Sequence, residues 1–198
     1  CKMILKKEAI RNSSVYALFA LMCFHAARLE SKTDDQGEIV GLEHQDRKKW
    51  HAPLINLGNN AMQKASEDSD YGTYHYQAAI AWEHLMAPTF RETRWEKILH
   101  WYSLLYEIDQ SQLVLLNKAI ICMQMENLDT AFFILNDINP DKLEQRSYLY
   151  YGALVEYYFK KEDKARALEY VEKAKLKVHN EQELAFFLKR IEALTMSY

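Results

Sequence analysis

Apolar residues return at intervals of three and four along nearly the whole chain, from Val15, Leu18, Phe19, Met22, Ala26 and Leu29 to Leu184, Phe187, Leu188, Ile191 and Leu194. A side chain that recurs every 3.6 residues lies along one face of an α-helix, whereas a half-buried strand needs strict alternation. The 5 glycines and 3 prolines are too few, in 198 residues, to supply the many tight turns of a β protein. The expectation is an all-α fold of stacked antiparallel helical hairpins joined by polar loops. With 49% apolar and 13% aromatic residues, the chain has the material for a packed core and is not a disordered tail.

The order of helices follows from caps and breakers. A short basic helix is expected over residues 2–10, and Ser13 or Ser14 is placed to cap the next. Residues 31–41, with Asp34-Asp35-Gln36-Gly37, form the one obvious long polar loop, a brief hairpin or lid. Asp46 is a candidate N-cap for a helix carrying Trp50, Leu54, Ile55 and Leu57. Pro53 lies within that stretch and costs about 3 kcal/mol or more in a helix interior, so the helix must restart or kink there. An acidic loop over 66–70 precedes a helix that Pro88 ends. Further helices are expected over 93–107, 111–125, 128–135, 144–160, 163–177 and 181–194, the last capped by Asn180 with Glu183. The chain then divides into an N-terminal helical part, 1–110, and a C-terminal part, 111–198, within one continuous structural unit.

The C-terminal part repeats itself. Aligning residues 117–131 on 153–167 places Ala131 over Ala167, 36 residues apart. This resembles the tetratricopeptide repeat, whose period is about 34 residues. Glu162 stands where such repeats usually place a turn glycine. The resemblance implies a right-handed superhelix in the C-terminal half, with one concave face left for a partner.

Charge and cysteine usage narrow the function classes. The 25 Lys+Arg against 28 Asp+Glu leave a net charge of −3, without the basic footprint of a domain that binds nucleic acid by itself. Cys1, Cys23 and Cys122 form no Cys-x-x-Cys pair, which reads as buried thiols in a reducing compartment and gives no zinc framework. Neither a signal-peptide pattern nor an apolar run of about 18 residues is present, so the expected location is cytoplasmic, away from membranes. A start at Cys1, directly into helical text, points to a fragment of a longer protein.

The polar motifs sit on this scaffold. In the small-residue helix 72–84, Tyr74, Gln77, Ala81 and His84 stack on one side, so the polar members need partners if buried. Gln45, Asp46, Arg47 and Asn117 are the expected ones. Two roles stay open for that stripe: an internal hydrogen-bond network, or a pocket for a small molecule or peptide. Asp46-Arg47 is either an N-cap with a surface ion pair or a desolvated pair anchoring the 31–41 loop. His25 is expected as a core histidine with one hydrogen bond. Tyrosines 148, 150, 151, 157 and 158 are expected to pack the last hairpins together. His44, Asp46 and His51, or His75 and His84, lack the helical spacing of a metal pair, so no metal or cofactor is expected. His84 beside Glu83 is no acid-base pair, because adjacent helix positions point apart. With no nucleophile elbow, phosphate loop or dinucleotide fingerprint, the chain does not read as an enzyme.

Several ordered motifs carry a wider resemblance. They are Ala20-Leu21-Met22-Cys23-Phe24-His25-Ala26-Ala27-Arg28, then Gln45-Asp46-Arg47 with Trp50, then Tyr74-x-x-Gln77-Ala78-Ala79-Ile80-Ala81 ending in His84, then Leu116-Asn117-Lys118-Ala119 and the stretch from Asn180-Glu181 to Leu188 of the closing helix. Together they resemble the C-terminal extension of one group of extracytoplasmic-function sigma factors. Ala26 and His44 stand where that pattern usually has an acid, and Pro53 departs from it. The resemblance implies a binding or structural polar cluster of His25, Arg28, Gln45, Asp46, Arg47, Trp50, Tyr74, Gln77, His84 and Asn117. It also implies a regulatory domain that contacts its own sigma regions or RNA polymerase core, with promoter DNA touched only by regions upstream of Cys1. The alternative is a freestanding tetratricopeptide-like scaffold that binds a peptide or small ligand.

Overall fold

The structure is a computed structural model and describes residues 12–197; the helix expected over 2–10 lies outside the described residues. Among the described residues the fold is all-α, with nine α-helices: α1 (Ser13–Ala26), α2 (Ala52–Ala65), α3 (Thr73–Met86), α4 (Trp95–Ile108), α5 (Gln112–Gln124), α6 (Leu128–Asn136), α7 (Ser147–Lys160), α8 (Lys164–Lys175) and α9 (Glu181–Ser197). They form two compact units that divide between Asp109 and Gln110.

In the first unit, α1 packs on α2 and α3, and α3 packs on α4. Asn12, not Ser13 or Ser14, caps α1: its Oδ1 accepts from the Val15 amide at 2.9 Å. The buried face of α1 is also not the expected one. Ala17, Ala20, Phe24 and Ala27 are buried, whereas Met22 is 47% and Leu29 60% exposed. The helix is apolar nearly all round, so periodicity alone cannot choose its inner face; small side chains win because they let helix axes approach closely. Gly58 of α2 meets Phe24 there, and a Cβ at that position would lie 2.4 Å from the Phe24 ring. His25 is exposed on the opposite side, a correction to its expected place in the core.

Residues 31–41 form the hairpin-like turn. Thr33 and Ile39 make one antiparallel bridge, Gly37 takes φ 81, and Asp34 Oδ1 accepts from the amides of Gln36 and Glu38. Asp46 caps, but it caps a single 3₁₀ turn, Arg47–Lys49, by accepting from Lys48 N at 2.9 Å. The cap of α2 is His51, whose Nδ1 accepts from Leu54 N at 3.3 Å. Pro53 therefore falls in the first turn of a new helix, where its missing N–H has no bond to lose.

In the second unit α5 packs on α6 and α7 on α8, and each pair is joined by three residues that reverse the chain. The two reversals are alike bond for bond. Glu126 (φ 58) and Glu162 (φ 59) both adopt the left-handed conformation. The next amide then reaches back to the helix, Asn127 N to Cys122 O and Asp163 N to Tyr158 O, each at 2.9 Å. Asn127 and Asp163 go on to cap the following helices through Thr130 N and Arg166 N. This is a Schellman end fused to an N-cap, and it recurs at the 36-residue spacing read from the sequence. Ala131 and Ala167 are both fully buried where the arms of each hairpin touch. The helix expected from residue 144 begins at Ser147, because Glu144 (φ 52, ψ −125) breaks the 3₁₀ segment before it.

Candidate functional site

The polar motifs of the first unit converge on Trp50. Its ring is 8% exposed, and its Nε1–H donates to Ser31 Oγ at 2.9 Å. Ser31 Oγ in turn donates to the Arg28 carbonyl at 2.8 Å. Gln45 ties the same group to the 31–41 turn: Oε1 accepts from Arg28 Nε at 3.1 Å, and Nε2 donates to the Val40 carbonyl at 3.1 Å. Arg47 lies over the Trp50 ring at 4.4 Å and Arg28 at 5.7 Å from the centroid. Arg47 also donates to the carbonyl of His84 at 2.9 Å and so straps the 3₁₀ turn to the end of α3.

Among the described residues neither guanidinium has a carboxylate within ion-pair distance; burial, followed by the charge of Arg47, lowers the pKa of Arg28, and burial lowers that of Arg47. The same conditions act on His84. Its burial, followed by the charges of Arg28 and Arg47, lowers its pKa to about 4, so the ring is neutral near pH 7. Its Nδ1 is buried without a hydrogen-bond partner, and the ring meets Trp95 edge-on at 5.7 Å.

Of the residues singled out from sequence, the structure gathers Arg28, Gln45, Arg47, Trp50 and His84. It does not gather the rest. Asp46 is exposed and serves as a cap, so no desolvated Asp46–Arg47 pair anchors the 31–41 turn; Gln45 does that. Tyr74 is 43% exposed, and Gln77 is half-buried with no side-chain hydrogen bond among the described residues, so no Tyr74–Gln77–His84 network forms. Asn117 belongs to the second unit, on α5, where it lines a small cavity of about 180 Å³ beside Glu156 and Arg190. Sequence reasoning missed Ser31, the acceptor for Trp50. A buried indole N–H requires an acceptor, but nothing in a row of residues names one 19 positions away.

A second feature of the first unit was also missed. Between α2, α3 and α4 lies a cavity of about 340 Å³, walled by Tyr71, His75, Tyr76, Trp82, Glu83 and Trp101. Glu83 is 2% exposed and carries an ion pair with Arg94 at 2.7 Å; Arg94 also lies 5.3 Å from the Trp82 ring centroid. His75 Nε2 and Trp101 Nε1 are buried without a partner, an omission that costs roughly 1–3 kcal/mol per group. No group of three or more His, Cys, Asp or Glu side chains among the described residues is arranged to hold a metal ion. No helix among them is long and apolar enough to cross a membrane.

Residues 1–66 match a family of unknown function, DUF6596. Over 137 residues the chain is 32% identical to an uncharacterized protein of Rhizobium meliloti (strain 1021). That similarity takes in 69% of this chain and 32% of the relative, so the chain spans about a third of the curated relative it matches. No solved structure matches the chain.

Proposed function

We propose that this chain is a regulatory domain of an extracytoplasmic-function type sigma factor, acting through protein contacts with the sigma regions or RNA polymerase core. The observation that carries the proposal is the turn-for-turn repetition of the α5–α6 and α7–α8 hairpins, with Glu126 and Glu162 in the same left-handed position. Repeated hairpins of this kind, here read as tetratricopeptide-like, bury their small-residue contacts between neighbours and leave side chains on the outer face for another protein. The ordered motifs that resemble the sigma-factor extension add the choice of partner. Two of them, Ala20–Arg28 and Gln45–Trp50, meet in space around the Trp50 ring. The net charge of −3 accords with a domain that leaves promoter contact to other regions.

The test is transcription from the cognate promoter by the full-length factor, with and without residues 12–197. A change of several-fold in either direction on deletion supports the proposal, and equal transcription refutes it. The cavity in the first unit favours a second reading, a freestanding helical scaffold for a peptide or small ligand. On that reading no sigma regions accompany the chain, and adding it to a polymerase assay leaves transcription unchanged.

A further inference from the structure

The guanidinium groups around Trp50 are held in place without a counter-charge. Arg28 Nε–H donates to Gln45 Oε1 and one terminal nitrogen of Arg47 donates to the His84 carbonyl, while both groups lie against the Trp50 ring. Among the described residues the two terminal nitrogens of Arg28, and the Nε and second terminal nitrogen of Arg47, have no acceptor. Lys32, half-buried like the two arginines, is a third cation of the group and makes no ion pair among the described residues. Burial lowers the pKa of all three; Arg47 adds to the effect on Arg28, and Arg28 to that on Lys32. An unrestrained arginine would turn its charge into water, but each of these is fixed by a hydrogen bond and a ring, so little further ordering is needed to receive a ligand.

The acids of the same segment answer other partners. Asp34 Oδ1 accepts from the Gln36 and Glu38 amides, Asp46 Oδ1 from the Lys48 amide, and Glu43 pairs with His44 at 3.4 Å. We propose that Arg28, Lys32 and Arg47 form a docking site for a short acidic segment of a partner protein, whose neighbouring Asp or Glu carboxylates bond the open guanidinium nitrogens and the Lys32 ammonium. A guanidinium fork fits a carboxylate with two parallel hydrogen bonds. The two arginines lie 5.7 and 4.4 Å from one ring centroid, so adjacent acids of a single segment reach both. Charge decides between this partner and nucleic acid. A duplex carries one negative charge per about 1.7 Å and would meet a segment that also holds Glu30, Asp34, Asp35, Glu38, Glu43 and Asp46, in a chain of net charge −3. A short acidic segment presents its carboxylates to the three cations alone. This goes beyond the sigma-factor reading and does not depend on it. The experiment below has no transcription readout, so the two stand or fall separately.

The full chain is titrated by calorimetry at low salt with three probes: a capped peptide of Glu-Asp pairs spaced by glycine, its counterpart with Gln-Asn pairs, and a short DNA duplex. The acidic peptide should bind saturably, about tenfold or more tighter than either comparator, and weaken as salt rises. Arg28→Gln should weaken it about tenfold and Lys32→Gln about threefold. Lys64→Gln should leave it unchanged, because Lys64 lies over Tyr16 near the N-terminal end of α1, whereas Arg28 follows its C-terminal end. The proposal is overturned if the acidic peptide does not bind, if either comparator binds as tightly, if Lys32→Gln binds it like the unsubstituted chain, or if Lys64→Gln weakens it as much as Lys32→Gln does. The Lys32 side chain makes no hydrogen bond among the described residues, so that variant decides the matter even where Arg28→Gln does not fold.

Discussion

Replacing Glu162 by glycine should stabilise the second unit, although it removes a whole side chain. The residue holds φ 59 in the reversal between α7 and α8, a conformation that costs a non-glycine residue roughly 1–2 kcal/mol. Glycine relieves that strain but adds unfolded-state entropy, a penalty of roughly 0.5–1 kcal/mol. The Glu162 side chain is exposed and makes no ion pair among the described residues, so no contact offsets the gain. The net expectation is about 0.5–1 kcal/mol in favour of Glu162→Gly. For a unit of this size that raises the melting temperature by about 2–8 °C. Glu162→Ala retains the Cβ and should melt within a degree or two of the unsubstituted protein. Glu126→Gly should gain less, because Glu126 pairs with Lys160 at 2.8 Å and loses that contact. Thermal melts followed by helical circular dichroism measure all three. If Glu162→Gly melts at or below the unsubstituted protein while Glu162→Ala is unchanged, the reversal does not store the strain assigned to it.

Other substitutions probe the first unit. Gly58→Ala places a Cβ 2.4 Å from the ring of Phe24, which is 1% exposed and cannot swing into solvent; chemical denaturation should show a loss of about 1–3 kcal/mol. Arg94→Met leaves the Glu83 carboxylate buried and uncompensated, a loss of about 3–5 kcal/mol. Adding Glu83→Gln to that variant should recover most of it, and a failure to recover would mean Arg94 acts mainly by packing on Trp82. For His84, the folded pKa of about 4 lies below the unfolded value of about 6.5. The neutral ring therefore contributes stability that is complete above pH 6.5 and falls away as pH drops towards 4, by at most about 3 kcal/mol. Denaturation at pH 7 and pH 4.5 should show a smaller difference for His84→Asn than for the unsubstituted chain; equal differences would refute the assignment.

The Trp50 cluster shows how recognisable motifs become a structural device. Gln45 holds the 31–41 turn, Ser31 receives the indole, and Arg47 ties the group to α3 through the His84 carbonyl. Three segments are thereby fixed around one buried ring, through single hydrogen bonds that span up to 37 residues. The two guanidinium groups remain without a carboxylate among the described residues, which keeps positive charge at the edge of the cluster.

The sequence alone determined the helical class, the course of α3 (Thr73–Met86) up to the stop before Pro88, and the 36-residue spacing of the two hairpins. These depend on local quantities: the 3.6-residue period, a cap or breaker within a turn, and a repeat that compares the chain with itself. The tertiary structure decided which face of α1 is buried, that His51 rather than Asp46 caps α2, and that Glu162 can stand where glycine was expected. It also decided which polar residues meet. Gln45 and Arg47 found partners at Arg28, Val40 and His84, whereas on α3 the exposed Tyr74 and the half-buried Gln77 did not. Helical spacing says which side chains share a face, but only packing between distant segments removes a face from water and supplies its hydrogen-bond partners.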